Sequence, residues 1–217
     1  MILSPCLSKE QLAVVIGDVS GKGVAAGLLM AMAKTAIHTL SQEANSPRQI
    51  LLRTNAILSQ HIGGQKFMTL LYLRWESQSR SILYSAAGHE HILLYRHLTK
   101  NLESIQSGGI MLGMLPDIDK FLEEKRIELM PEDKILLYTD GVTEAENQLG
   151  ERFGFEKLQE VFVKHSAKSA QELMNAMPDY EDVIQYCRVN STVFYDGTFL
   201  DLYDFAFEVG DYYTTPE

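Results

Sequence analysis

Leu12-Ala13-Val14-Val15-Ile16-Gly17-Asp18-Val19-Ser20-Gly21-Lys22-Gly23 decides how this chain is read. Residues 12–16 form a continuous apolar run rich in valine, the pattern of a buried strand. A glycine-rich turn follows, and Val24 to Leu40 reads as a helix because alanine, leucine and methionine dominate it. Strand, glycine turn and helix is also the order of a phosphate-binding P-loop. That motif needs four residues between its first glycine and Gly-Lys, then Ser or Thr. Here three residues separate Gly17 from Gly21, and Gly23 follows Lys22, so the spacing disfavours an ATP- or GTP-binding module. The other reading centres on Asp18, a carboxylate aimed by the end of a rigid strand, with glycines that let backbone approach a ligand. The bland alternative is an aspartate capping a turn.

Outward from this stretch, a second helix starts near Ser46, with Pro47 at its first position, and runs to about Ile62, where Gly63-Gly64 stops it. Short strands follow: Phe67 to Trp75, Ser81 to Ala87, His91 to Tyr95, and more weakly Leu102 to Ile105 and Phe121 to Leu129. Pro131-Glu132-Asp133 reads as a turn and Lys134 to Thr139 as another buried strand. Phe155 to His165 and Ala170 to Met177 read as amphipathic helices, and the chain from about Val183 as two or three strands. Hairpins around a helical pair make the fold class α+β, with antiparallel sheets covered by helices. There is no internal repeat, so residues 1–217 are expected to form one domain.

The design of the opening stretch recurs in Leu136-Leu137-Tyr138-Thr139-Asp140-Gly141, an apolar strand ending in Asp then Gly. If the two strand ends meet, their carboxylates repel unless a divalent cation lies between them. Oxygen-only ligation favours magnesium or manganese over zinc. The alternative is two unrelated turns. A third candidate is His89 in Ala86-Ala87-Gly88-His89, since an imidazole titrates near neutrality and could act as a general acid. A hydrogen-bonded turn histidine is the plainer reading. Glu144 and Glu146 read as solvated loop charges, with outer support of a metal as the alternative.

Composition bounds the function. A net charge of -10 argues against a nucleic-acid surface and suits cation binding, or simply solubility. Cys6 and Cys187 have no CxxC spacing, which argues against a zinc site or a disulfide framework and leads us to expect a reducing cytoplasm. The first residues lack a charged segment followed by an apolar one, so no signal peptide is expected. The longest apolar segment, Val24 to Met32, reads as too short to span a bilayer.

With these residues in view, a family resemblance emerges. Residues 15–23, Ala86-Ala87-Gly88-His89 and Leu137-Tyr138-Thr139-Asp140-Gly141-Val142-Thr143-Glu144-Ala145 resemble the PPM family of metal-dependent protein serine/threonine phosphatases, in its bacterial stress-response and sporulation branch of the SpoIIE/RsbU type. The stretch from Gly109 to Pro116 matches as well, and the resemblance covers about residues 8 to 175. It implies an α-β-β-α sandwich of two antiparallel sheets and two divalent cations, Mn or Mg. Asp18 matches the aspartate that bridges both metals, the Val19 position contributes its carbonyl, and Asp140 matches a ligand of one metal. It also implies attack on phosphorus by water activated between the cations. The implied partner is a phosphorylated protein, commonly an anti-sigma-factor antagonist, and a homodimer is a further expectation.

Two elements depart from the family pattern. A Gly-Gly-Asp-x-Tyr-Asp motif normally precedes the strand leading to the bridging aspartate, and residues 1–11 lack it. An Asp-Asp-Ile-Thr-like segment normally opens the final strand, and Glu181-Asp182-Val183 is its nearest counterpart, which makes Asp182 a candidate ligand. In the tail, Glu208-Val209-Gly210-Asp211-Tyr212-Tyr213 resembles the missing motif. Residues 178–217 could then replace the N-terminal strand by circular permutation or by swapping, with Asp211 as a ligand; a truncated domain with an unrelated aromatic tail is the plainer reading. The competing function is a catalytically degenerate domain that binds a phosphoprotein or a regulatory partner.

Overall fold

A computed structural model describes residues 2–3, 11–43, 46–62, 66–145, 149–168 and 206–208. The chain divides into two compact units: residues 1–89 with 107–129, and residues 90–106 with 130–217.

The first unit is built on a five-stranded antiparallel sheet. Its strands are β1 (Ile2–Leu3), β2 (Gln11–Val19), β3 (Met68–Glu76), β4 (Ser81–Ala87) and β7 (Lys125–Glu128), in the order β1-β2-β3-β4-β7. The apolar run at 12–16 continues to Val19 because every residue of β2 pairs with β3, from Gln11 opposite Glu76 to Val19 opposite Met68. Gly17 is required there: a Cβ would lie 2.6 Å from the Thr69 carbonyl oxygen. Phe121 to Leu129, expected as one strand, divides into a 3-10 turn at Asp119–Phe121 and the four residues of β7.

Two helices complete this unit, α1 (Val24–Ser41) and α2 (Pro47–Ile62). At the start of α2, the Gln49 N–H donates to Ser46 Oγ at 3.3 Å and the Ser46 N–H to Gln49 Oε1 at 3.4 Å, a reciprocal cap with Pro47 at the first helical position. Leu29, Ala33, Ile37 and Leu40 of α1 join Ile50, Leu51 and Leu58 of α2 and Val15, Leu70 and Tyr72 of the sheet in one core. Each fully buried leucine or isoleucine contributes about 1.5–3 kcal/mol. By length and mean hydropathy the whole of α1 would pass as a membrane span, longer than the segment the sequence reading singled out. Its inward face, with Leu29, Ala33, Ile37 and Leu40, lies in this core, while Val24, Leu28 and Met30 on the same helix are exposed.

The second unit carries a four-stranded antiparallel sheet in the order β6-β5-β8-β9, from β5 (Ile92–Arg96), β6 (Asn101–Ile105), β8 (Lys134–Leu136) and β9 (Ala206–Glu208). It also holds a short helix α3 (Asp140–Thr143) and α4 (Phe155–His165). Leu158, Val161 and Phe162 of α4 pack with Leu93, Tyr95, Leu136 and Tyr138. The turn at 131–133 is fastened by Asp133, whose carboxylate accepts from Arg96 at 2.9 Å, the His97 N–H at 3.0 Å and the Met130 N–H at 3.1 Å. The helix expected at Ala170 to Met177 lies outside the described residues, as does the tail except for β9.

Candidate active site

Asp18 is the penultimate residue of β2 and is exposed, whereas Ala13 to Gly17 before it are buried. The buried run fixes the backbone and presents the carboxylate to solvent. The loop that follows is stapled to the residues before β3. Ser20 N–H donates to the Phe67 carbonyl at 2.8 Å, Phe67 N–H to Ser20 Oγ at 3.0 Å, and Lys66 Nζ to the Ser20 carbonyl at 3.1 Å. Asp18 N–H also reaches the Thr69 hydroxyl, at 3.3 Å.

His89 belongs to this same unit. It is buried, 8% exposed, and its Nδ1 lies 2.9 Å from Thr69 Oγ1. Its main-chain carbonyl accepts from the Ser107 hydroxyl. The Ala86 to His89 segment is held close to the 108–112 loop, with Gly88 N–H donating to the Gly108 carbonyl at 2.8 Å. Gly109, at φ +81°, leaves no room for a side chain, since a Cβ would overlap the Ala86 carbonyl. The far side of that loop is clamped by Asn55 of α2, whose Oδ1 accepts the Gly113 N–H at 2.8 Å while its Nδ2 donates to the carbonyls of Leu115 and Pro116.

Asp140 lies in the second unit. β8 stops at Leu136, three residues earlier than expected, and Asp140 is the exposed first residue of α3 rather than the end of a strand. The turn closes on its carbonyl, which accepts from Glu144 N–H at 2.7 Å and Thr143 Oγ1 at 3.2 Å. Glu90 shares its electrostatic environment. Burial, reinforced by the charges of Asp140 and Glu144, pushes the Glu90 carboxyl above its ordinary value, while His91 pulls it the other way. Burial and then Glu90 raise the Tyr138 hydroxyl as well. Glu144 is paired with Arg152 at 3.1 Å.

Negative potential therefore gathers around Asp140, and both sequence-chosen aspartates present hard oxygen donors to solvent, a donor chemistry that fits Mg or Mn. Among the described residues, no group of three or more His, Cys, Asp or Glu side chains is close enough to hold an ion. Asp182, Asp211 and Glu146 lie outside the described residues. Sequence reading missed Thr69, Ser107, Asn55 and Glu90. Glu90 adjoins the histidine motif and could have been found there. The other three act through contacts with residues 18 to 61 positions away, for which local sequence carries no signal.

A model of the family "Stage II sporulation protein E (SpoIIE)" matches residues 8–187. The chain belongs to the SpoIIE family. Among its relatives, phosphoserine phosphatase RsbU of Bacillus subtilis (strain 168) is 32% identical over 173 residues, 79% of this chain and 50% of that protein. The SpoIIE-family chain thus spans half the length of this relative. Its fold is that of PP2C phosphatase domains. The SiaA-PP2C domain of Pseudomonas aeruginosa superposes with a TM-score of 0.70 at 17% identity, covering 86% of this chain and 73% of that one. RsbX, solved in complex with magnesium, superposes with a TM-score of 0.63 at 16% identity, covering 85% and 81%.

Proposed function

We propose that this chain is a protein phosphatase domain that hydrolyses phosphoserine or phosphothreonine on a partner protein and depends on two divalent cations, Mn or Mg. The observation that carries the reading is the family match over residues 8–187, which spans all three motifs and includes both Asp18 and Asp140. The name of the relative RsbU, a phosphoserine phosphatase, and the magnesium in the RsbX structure agree with it. A phosphorylated anti-sigma-factor antagonist is the substrate class we favour, and a homodimer the assembly.

Asp18, the Val19 carbonyl and Asp140 are the groups we assign to the cations, with Asp182 and Asp211 as the further carboxylates. When bound, the cations would make water nucleophilic at neutral pH and offset charge on the phosphoryl oxygens. The chain's own part is to fix the main chain beneath the carboxylates of Asp18 and Asp140. β2 does so for Asp18 through a buried strand, and α3 does so for Asp140 through a turn closed on its own carbonyl. No step requires a covalent intermediate on the protein.

The test is manganese titration of the wild type and Asp18→Asn, with release of phosphate from a phosphoserine protein as readout. Saturable, manganese-dependent hydrolysis that Asp18→Asn abolishes is expected. Tight binding of the phosphoprotein without hydrolysis at any metal concentration would replace this reading with that of a non-catalytic phosphoprotein-binding domain.

A further inference from the structure

The histidine of the Ala86-Ala87-Gly88-His89 motif is left without a task by the assignments above. It does not stand open to solvent as a general acid would: it is 8% exposed and turned toward β3. We propose that Thr69 and His89 form a positioning pair that fixes the main chain at Asp18, so that His89 serves metal binding through Thr69 rather than by touching substrate. This inference builds on the phosphatase reading.

The geometry supports it in three ways. Thr69 stands directly opposite Asp18 in the β2–β3 register, and the missing Cβ of Gly17 lets the Thr69 backbone come close. The Thr69 hydroxyl is shared: it accepts the Asp18 N–H and lies 2.9 Å from His89 Nδ1. A hydroxyl has one proton and two lone pairs, so Thr69 can accept the Asp18 N–H and at the same time either donate to Nδ1 or accept a proton from it, according to the ring's tautomer. Finally, the main chain that carries the ring is anchored, because the His89 carbonyl accepts from Ser107 and the neighbouring Gly88 N–H bonds to Gly108. The packed 107–112 loop thereby holds His89, His89 orients the Thr69 hydroxyl, and that hydroxyl constrains the residue whose carboxylate must point outward. Outer-shell hydrogen bonds of this kind orient metal ligands in many proteins and cost 10- to 100-fold in affinity when lost.

The experiment compares Thr69→Val, Thr69→Ser, His89→Asn and His89→Ala in the full chain. Thr69→Val keeps the shape and removes the hydroxyl; Thr69→Ser restores it; His89→Asn keeps a polar atom near the Nδ1 position. Two readouts are taken beside thermal unfolding: hydrogen exchange of the Asp18 amide without metal, and manganese affinity by calorimetry. Thr69→Val and His89→Ala are expected to speed Asp18 amide exchange about three- to tenfold, the scale of one net hydrogen bond. They should weaken manganese binding by about tenfold or more. Thr69→Ser and His89→Asn should recover most of both. Unchanged Asp18 exchange in Thr69→Val would overturn the pair. Intact manganese affinity in His89→Ala, with hydrolysis lost at saturating metal, would overturn it too, in favour of a general acid. A wild type that binds no manganese sinks the phosphatase reading alone, and the amide exchange still decides whether the pair exists.

Discussion

Replacing Asn55 with alanine removes the clamp between α2 and the 108–116 loop, and the structure sets the size of the effect. The side chain is 1% exposed and makes three hydrogen bonds: one accepted from Gly113 N–H at 2.8 Å, and two donated to the carbonyls of Leu115 and Pro116 at 3.0 and 3.2 Å. Leaving the buried Gly113 N–H unsatisfied costs about 1–3 kcal/mol, and the lost carbonyl contacts about 0.5–1.5 kcal/mol more. Asn55→Ala should therefore destabilise the chain by about 2–4 kcal/mol, a large share of the roughly 5–15 kcal/mol that a domain has. Urea denaturation followed by the fluorescence of Trp75 measures this. Trp75 is the one tryptophan in the sequence, is 3% exposed and belongs to the same unit as Asn55. Gln60→Ala, an exposed change on the same helix, is the control and should stay within about 0.5 kcal/mol. A loss below about 1 kcal/mol for Asn55→Ala, at an unchanged denaturant slope, would refute the view that these bonds hold the loop.

Three further outcomes are expected. Gly109→Ala meets both a positive φ and the Ala86 carbonyl, so it should destabilise by at least about 2 kcal/mol, checked by the same denaturation; a near-neutral result would contradict the close packing of that loop. Burial, then Lys168 and Lys164, hold the His165 imidazole below its ordinary value. The unfolded chain then binds the proton more readily, so this group costs stability at acid pH, and the cost disappears as pH rises past its ordinary value of 6.5. His165→Gln should flatten the pH dependence of stability below that point, and an unchanged slope would count against the burial. Asp140→Asn should lower manganese-dependent phosphate release by about 100-fold or more and leave thermal unfolding without metal nearly unchanged; wild-type activity that survives exhaustive chelation would contradict the metal assignment.

Much of the fold is visible in residue order. Ala13 to Gly17 are buried in the strand that the apolar run announces, and Ser46, Pro47 and Gln49 spell out the start of α2. Less was legible where several patterns fit one segment. Phe121 to Leu129 has apolar residues toward both ends and a charged run between them, yet only Lys125–Glu128 pairs with β4, because pairing needs a partner edge as well as a pattern. Lys134 to Thr139 is apolar past Leu136 because Leu137 and Tyr138 are buried, not because the strand continues.

Composition and local order by themselves determined the antiparallel α+β class, the two helices and the motifs that carry Asp18 and Asp140, since each depends on periodicity or on neighbouring residues. Tertiary structure alone decided that Thr69 faces Asp18, that His89 is buried against Thr69, that Asn55 grips Gly113 and that Asp140 opens a helical turn. Those facts come from strand register and from contacts between distant segments, and a one-residue slip of β3 against β2 would turn Thr69 to the other face of the sheet while leaving the local pattern unchanged.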